Sequence, residues 1–99
     1  MPWGATFDVS APIENYDETI PLVEEITHGI PEGLIVHFAS PTESGYRVTE
    51  VWQSEDHWKR FRTGVLTPLL QRLTGQEAPE QPDPQPFSVH AVRSRSTET

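Results

Sequence analysis

Residues 33–75 read GLIVHFASPTESGYRVTEVWQSEDHWKRFRTGVLTPLLQRLTG. Apolar and β-branched residues dominate Gly33–Ser40 and Gly45–Gln53, which predicts two strands. Pro41-Thr42-Glu43-Ser44 between them is turn chemistry, so the two strands form a hairpin. The second strand runs into Trp52-Gln53-Ser54-Glu55-Asp56. Ser54 is an N-cap residue, and the two carboxylates behind it suit the positive end of a helix dipole. Trp58, Phe61, Val65, Leu69 and Leu73 then recur at helical spacing. Thr67-Pro68 resembles a fresh cap followed by a first-turn proline, which predicts a break near Gly64 and a short restarted helix.

Working outward, Trp3–Ser10 alternates, with Trp3, Ala5, Phe7 and Val9 on one face of a first strand. A first helix lies within residues 14–29. Its stripe is Tyr16, Ile20, Val23, Ile26 and Ile30, and Gly29 and Pro31 stop it. Pro21 inside that helix predicts a kink or a displaced start, because it removes a hydrogen bond and crowds the preceding turn. His28 at the helix end reads as a cap. Residues 77–86, EAPEQPDPQP, form an extended linker. Phe87–Arg93 alternates again and predicts a fourth strand, with His90 in it. Residues 94–99 are a polar tail. The chain is therefore one domain over residues 1–93, with the order βαββαβ: an α+β, ferredoxin-like sandwich with a four-stranded antiparallel sheet and helices on one face.

Strand 33–40 carries apolar groups on both faces, with Leu34, Val36 and Phe38 on one and Ile35, His37 and Ala39 on the other. Helices cover one face only, so the expectation is a homodimer pairing sheet to sheet. Composition points the same way. Apolar residues make up 34% of the 99, and adding the 6 glycines still leaves the share below the usual 45–50% with glycine counted, so a partner copy is expected to complete the core.

The formal charge of −8 argues against nucleic acid and anionic membrane as partners. Lys59, Arg60, Arg62 and Arg72 form a basic run with no acid among them. It reads as a solvated helix face or, more sharply, as a local anion site. With no cysteine, disulfides and thiolate chemistry are excluded. No two histidines share metal-ligand spacing on one helix, and neither a phosphate loop nor a nucleophile elbow occurs. No signal peptide and no run of about 20 apolar residues is seen, so a cytoplasmic protein is expected.

Pairing Ser40 with Gly45 across the turn sets Ala39 opposite Tyr46, His37 opposite Val48 and Ile35 opposite Glu50. His37, Tyr46, Glu50 and Trp52 then share a face. His37 and Glu50 are the candidate acid–base pair, since burial raises a carboxyl's pKa toward a useful range. Tyr46, Trp52, Trp58 and Phe61 are candidate walls for a flat ligand. The competing reading is that His37 and Glu50 satisfy one another while the aromatics fill core.

Gly33-Leu34-Ile35-Val36-His37, Gly45-Tyr46-Arg47-Val48, Val51-Trp52-Gln53-Ser54-Glu55, Phe61, Pro68 and Phe87–Val92 together resemble the dimeric α/β-barrel superfamily, and within it the antibiotic-biosynthesis-monooxygenase type of small bacterial domain. The resemblance spans Tyr16 to Val92. It implies a sheet-to-sheet dimer and a pocket for a small aromatic or polyketide-like molecule. It also implies a candidate activity, oxygenation without flavin, haem or metal, with non-catalytic binding or stress-related dimers, cyclases and isomerases as rivals. Members that degrade haem carry a helix Trp where Phe61 stands and an axial His where Gln71 stands, so a haem reading loses its ligand. Quinone-forming members use Trp, Tyr, Asn and Arg side chains.

Overall fold

In a computed structural model, which describes residues 2–93, the element order is β1 (Trp3–Val9), α1 (Glu14–Thr27), β2 (Leu34–Pro41), β3 (Tyr46–Trp52), α2 (Glu55–Phe61), a π-helical turn (Arg62–Leu66), α3 (Thr67–Thr74) and β4 (Gln85–Phe87). The polar tail 94–99 lies outside the described residues. The strands form one antiparallel sheet in the order β2-β3-β1-β4. This is a small α+β fold compatible with a ferredoxin-like sandwich. The helix-facing side holds a core of Ala5, Phe7, Trp52 and Trp58, with Trp3, Leu34 and Phe61 packed on it. Trp3 stacks on Trp58 at 4.9 Å between ring centres.

The hairpin closes further out than expected. Pro41 pairs with Tyr46, Ala39 with Val48 and His37 with Glu50. Moving the register by two residues keeps every side chain on its face, because strand side chains alternate with period two. The turn is closed by the Thr42 N–H on the Gly45 carbonyl at 2.9 Å. A Cβ on Gly45 would strike the Val9 carbonyl, so only glycine fits where this turn crosses the end of β1.

Nearer the start of β2 a bulge intervenes. Val36 pairs with Val51 but Leu34 pairs with Trp52, leaving Ile35 as the extra residue. The insertion moves Leu34 onto the helix side. The strict alternation that places Leu34 with Val36 and Phe38 therefore does not hold. Residues Val36, Phe38 and Phe87 remain exposed on the uncovered face, where the Phe87 ring lies across Gly4.

The fourth strand also departs from expectation. It covers Gln85–Phe87 rather than Phe87–Arg93, so the last two residues of the expected linker are in the sheet and His90 is exposed outside it. The cause is the length of its partner. Phe87 pairs with Gly4 antiparallel, so residues beyond it run past the start of β1 at Trp3 and find Pro2, which has no N–H to donate. Pro86 is tolerated because β4 is an edge strand.

The two helix prolines are accommodated in different ways. α1 runs unbroken through Pro21, and Pro21 and Asp17 are both exposed. The hydrogen bond lost at the Asp17 carbonyl thus falls on the water side, where solvent replaces it. The second helix leaves α geometry where expected: a π turn spans Arg62–Leu66 around Gly64, with the Thr67 N–H bonded to the Arg62 carbonyl, and the short α3 begins at Thr67 with Pro68 in its first turn. That wide turn displaces the carbonyl of Gly64, four residues before Pro68, with which the proline ring would otherwise clash.

Candidate active site

A cavity of about 290 Å³ lies between the sheet and the helices. All six candidate residues (His37, Tyr46, Glu50, Trp52, Trp58 and Phe61) line it. β3 delivers three of them from one face, since Tyr46, Glu50 and Trp52 are an even number of positions apart. β2 delivers His37 directly opposite Glu50. Ser54 sets the direction of α2: its hydroxyl accepts from the His57 N–H at 3.2 Å and lies 2.7 Å from His57 Nδ1. That fixes Trp58 and Phe61 over the sheet, with Phe61 5.3 Å from the Trp52 ring. His57 is half-buried with its ring against Gly33, not on the exposed surface.

His37 and Glu50 do not bond each other. The Trp52 indole N–H donates to Glu50 Oε1 at 3.0 Å. Burial pushes the Glu50 carboxyl above the ordinary glutamate range, and the indole bond opposes this only in part. His37 Nδ1 lies 3.0 Å from the Tyr16 hydroxyl, a bond whose direction follows the ring tautomer. Burial lowers the His37 pKa, with the charge of Glu24 pulling the other way. Burial, then the charge of Glu50, raises that of Tyr16. At neutral pH the imidazole is thus neutral and the phenol protonated.

Sequence reasoning did not find the α1 contribution. Asn15 Nδ2 donates to the buried Tyr46 hydroxyl at 2.8 Å, and Tyr16 reaches His37. The spacing of Tyr16, Ile20 and Val23 does reveal which side of α1 meets the sheet, but nothing marks Tyr16 as polar machinery rather than core. Arg62 and the strap residues Glu80, Gln81 and Pro82 also line the cavity. Gln81 Nε2 donates to Thr67 Oγ1 at 3.0 Å, and Gln71 Nε2 donates to the Glu77 carbonyl at 2.6 Å. The proline-rich segment is thereby pinned along α3 beside the cavity.

The site has two unlike walls. Asn15, Tyr16, His37, Tyr46 and Glu50 present hydrogen-bonding groups from α1 and the sheet. Trp58, Phe61, Leu66 and Leu70 present apolar surface from the second helix. Such an arrangement can orient a flat molecule with one polar edge and exchange a proton with it. No protein-family model, curated protein or solved structure matches this chain significantly. Among the described residues no helix is long and apolar enough to cross a membrane, and no group of three His, Asp or Glu side chains is placed to hold a metal ion.

Proposed function

We propose that this protein is a homodimeric, small-molecule-binding member of the dimeric α/β-barrel type. In this reading it takes up a flat aromatic or polyketide-like compound and oxygenates it without a bound cofactor. The observation that carries the reading is the two-walled cavity, in which a carboxyl of raised pKa and an imidazole of lowered pKa stand opposite each other beside the Trp52 and Trp58 indoles. Glu50 or His37 removes a proton from the substrate. The phenolate-type carbanion then reacts with dioxygen: a ring C–H becomes a quinone carbonyl holding one oxygen atom, and the other leaves as water, the substrate's own C–H and O–H supplying both hydrogens and both electrons. Tyr46, Trp52, Trp58 and Phe61 hold the ring in place. The side-chain types that the resemblance implies for quinone formation, Trp, Tyr, Asn and Arg, all occur around the cavity. The dimer is supported by the uncovered sheet face, where Phe38 is 54% and Val36 43% exposed.

A second reading, a binding dimer without turnover, is favoured by the bonds that already occupy His37 and Glu50. Native mass spectrometry of freshly purified protein, followed by denaturing release, tests the binding and the dimer together. The expected species is twice the 11.2 kDa chain carrying a small aromatic mass. Oxygen uptake on adding the released compound back distinguishes turnover from binding alone. An empty monomer would overturn the proposal.

A further inference from the structure

The basic run of the second helix divides in the fold. Lys59 pairs with Glu55 at 3.5 Å on the exposed side, and Arg60 and Arg72 are exposed. Arg62 alone of the four is half-buried and lines the cavity. Its guanidinium carbon stands 5.3 Å from the Trp58 ring centre, so the indole face holds the stem and head in place. Among the described residues Arg62 makes no ion pair.

The π turn explains how a cation comes to sit in this column. Steps of four residues overshoot an α-helical turn by about 40° each, so Trp58, Arg62, Leu66 and Leu70 would spiral away from a common line. The i→i+5 turn at Arg62–Leu66 takes up the excess. All four therefore face the cavity. The turn begins at Arg62, and π turns inside α-helices are frequent at functional sites.

Resting on the reading of this cavity as a binding site, we propose that Arg62 is its specificity-determining residue and selects ligands that carry a planar oxyanion, an aromatic carboxylate above all. The guanidinium fork matches two carboxylate oxygens at once. The apolar wall beside it accepts the ring, and the polar wall opposite reads the ring's other edge. Of the acids on the cavity lining, Glu24 and Glu80 are exposed to water. Glu50 is held by the Trp52 indole. The cation is thus free to meet an incoming anion.

A matched pair of probes tests this: 2-naphthoate and its neutral isostere 2-naphthamide, titrated by quenching of tryptophan fluorescence. The intact protein is expected to bind naphthoate roughly tenfold more tightly than naphthamide. Arg62→Gln should weaken naphthoate far more than naphthamide and so bring the two affinities together, and Arg62→Lys should keep part of the preference. Equal affinities in the intact protein, or a preference that survives Arg62→Gln, would overturn the assignment and leave the binding cavity standing. If neither probe binds, the cavity reading fails and takes the assignment with it. Near-ultraviolet circular dichroism of each variant confirms that the tryptophan core is intact.

Discussion

His37 and Glu50 stand opposite each other in the β2–β3 ladder, yet each is bonded elsewhere, His37 to Tyr16 and Glu50 to Trp52. An imidazole and a carboxylate left to each other would form an ion pair, raising one pKa and lowering the other. Here burial dominates both groups and drives both toward the neutral form. A carboxyl of raised pKa and an imidazole of lowered pKa thus face the cavity without neutralising each other.

Glu50→Gln separates charge from shape, because glutamine keeps an oxygen to accept the Trp52 indole. In the native fold the carboxyl has a raised pKa. Its contribution to stability is therefore full below the ordinary value of 4.5 and is lost as pH rises through the folded value. The variant lacks this loss. Urea unfolding from pH 4 to pH 8 should show the variant gaining on the wild type as pH rises, and a tenfold change in proton affinity corresponds to about 1.4 kcal/mol. Parallel curves would mean that Glu50 is not desolvated.

His37 carries the opposite sign. Its lowered pKa gives stability that is present above 6.5, the ordinary histidine value, and is lost as pH falls through the folded value. Tyr16→Phe removes the hydroxyl that satisfies Nδ1 and should cost about 1 kcal/mol at neutral pH. Titrating the His37 ring protons by NMR in both proteins checks the link. An identical titration curve with unchanged stability would show that the Tyr16 bond is not formed in solution.

Phe38→Glu tests the dimer. Phe38 projects from the uncovered sheet face and is 54% exposed in the single chain. A carboxylate there leaves the monomer's core untouched but would be buried without a partner in a sheet-to-sheet dimer. Light scattering should report a folded chain of half the wild-type mass. A variant that remains dimeric would place the interface elsewhere.

Backbone constraints give predictions independent of any ligand. Gly45→Ala drives a methyl group into the Val9 carbonyl and should destabilise by more than about 2 kcal/mol. His28 ends α1 at φ 60°, the left-handed region, where its N–H donates to the Glu24 carbonyl. His28→Gly keeps that bond and relieves the Cβ strain, so a gain of about 1 kcal/mol is expected. Thermal melts of the two variants should move in opposite directions.

Much of the fold is legible in residues 33–75 and in the alternation of Trp3–Val9, because strand and helix periods are local properties of the chain. The cap at Ser54, the hairpin turn and the inward face of β1 follow from residue type and spacing. So does the presence of His37, Tyr46, Glu50 and Trp52 on one face, which survives the two-residue change in register because side-chain alternation has period two.

What the tertiary structure alone decided are the features that depend on a neighbour. The length of β4 is set by where β1 begins, and no alternation within residues 87–93 reports that. Leu34 changes face through a bulge in the pairing of β2 with β3. Pro21 and Pro68 are harmless because one freed carbonyl lies on the water side and the other is displaced by a π turn. Tyr16 becomes His37's partner, and Arg62 leaves its basic run to enter the cavity, only once α1 and the second helix pack on the sheet. Periodicity states which side of an element is apolar; the distance between two elements determines which polar atoms meet.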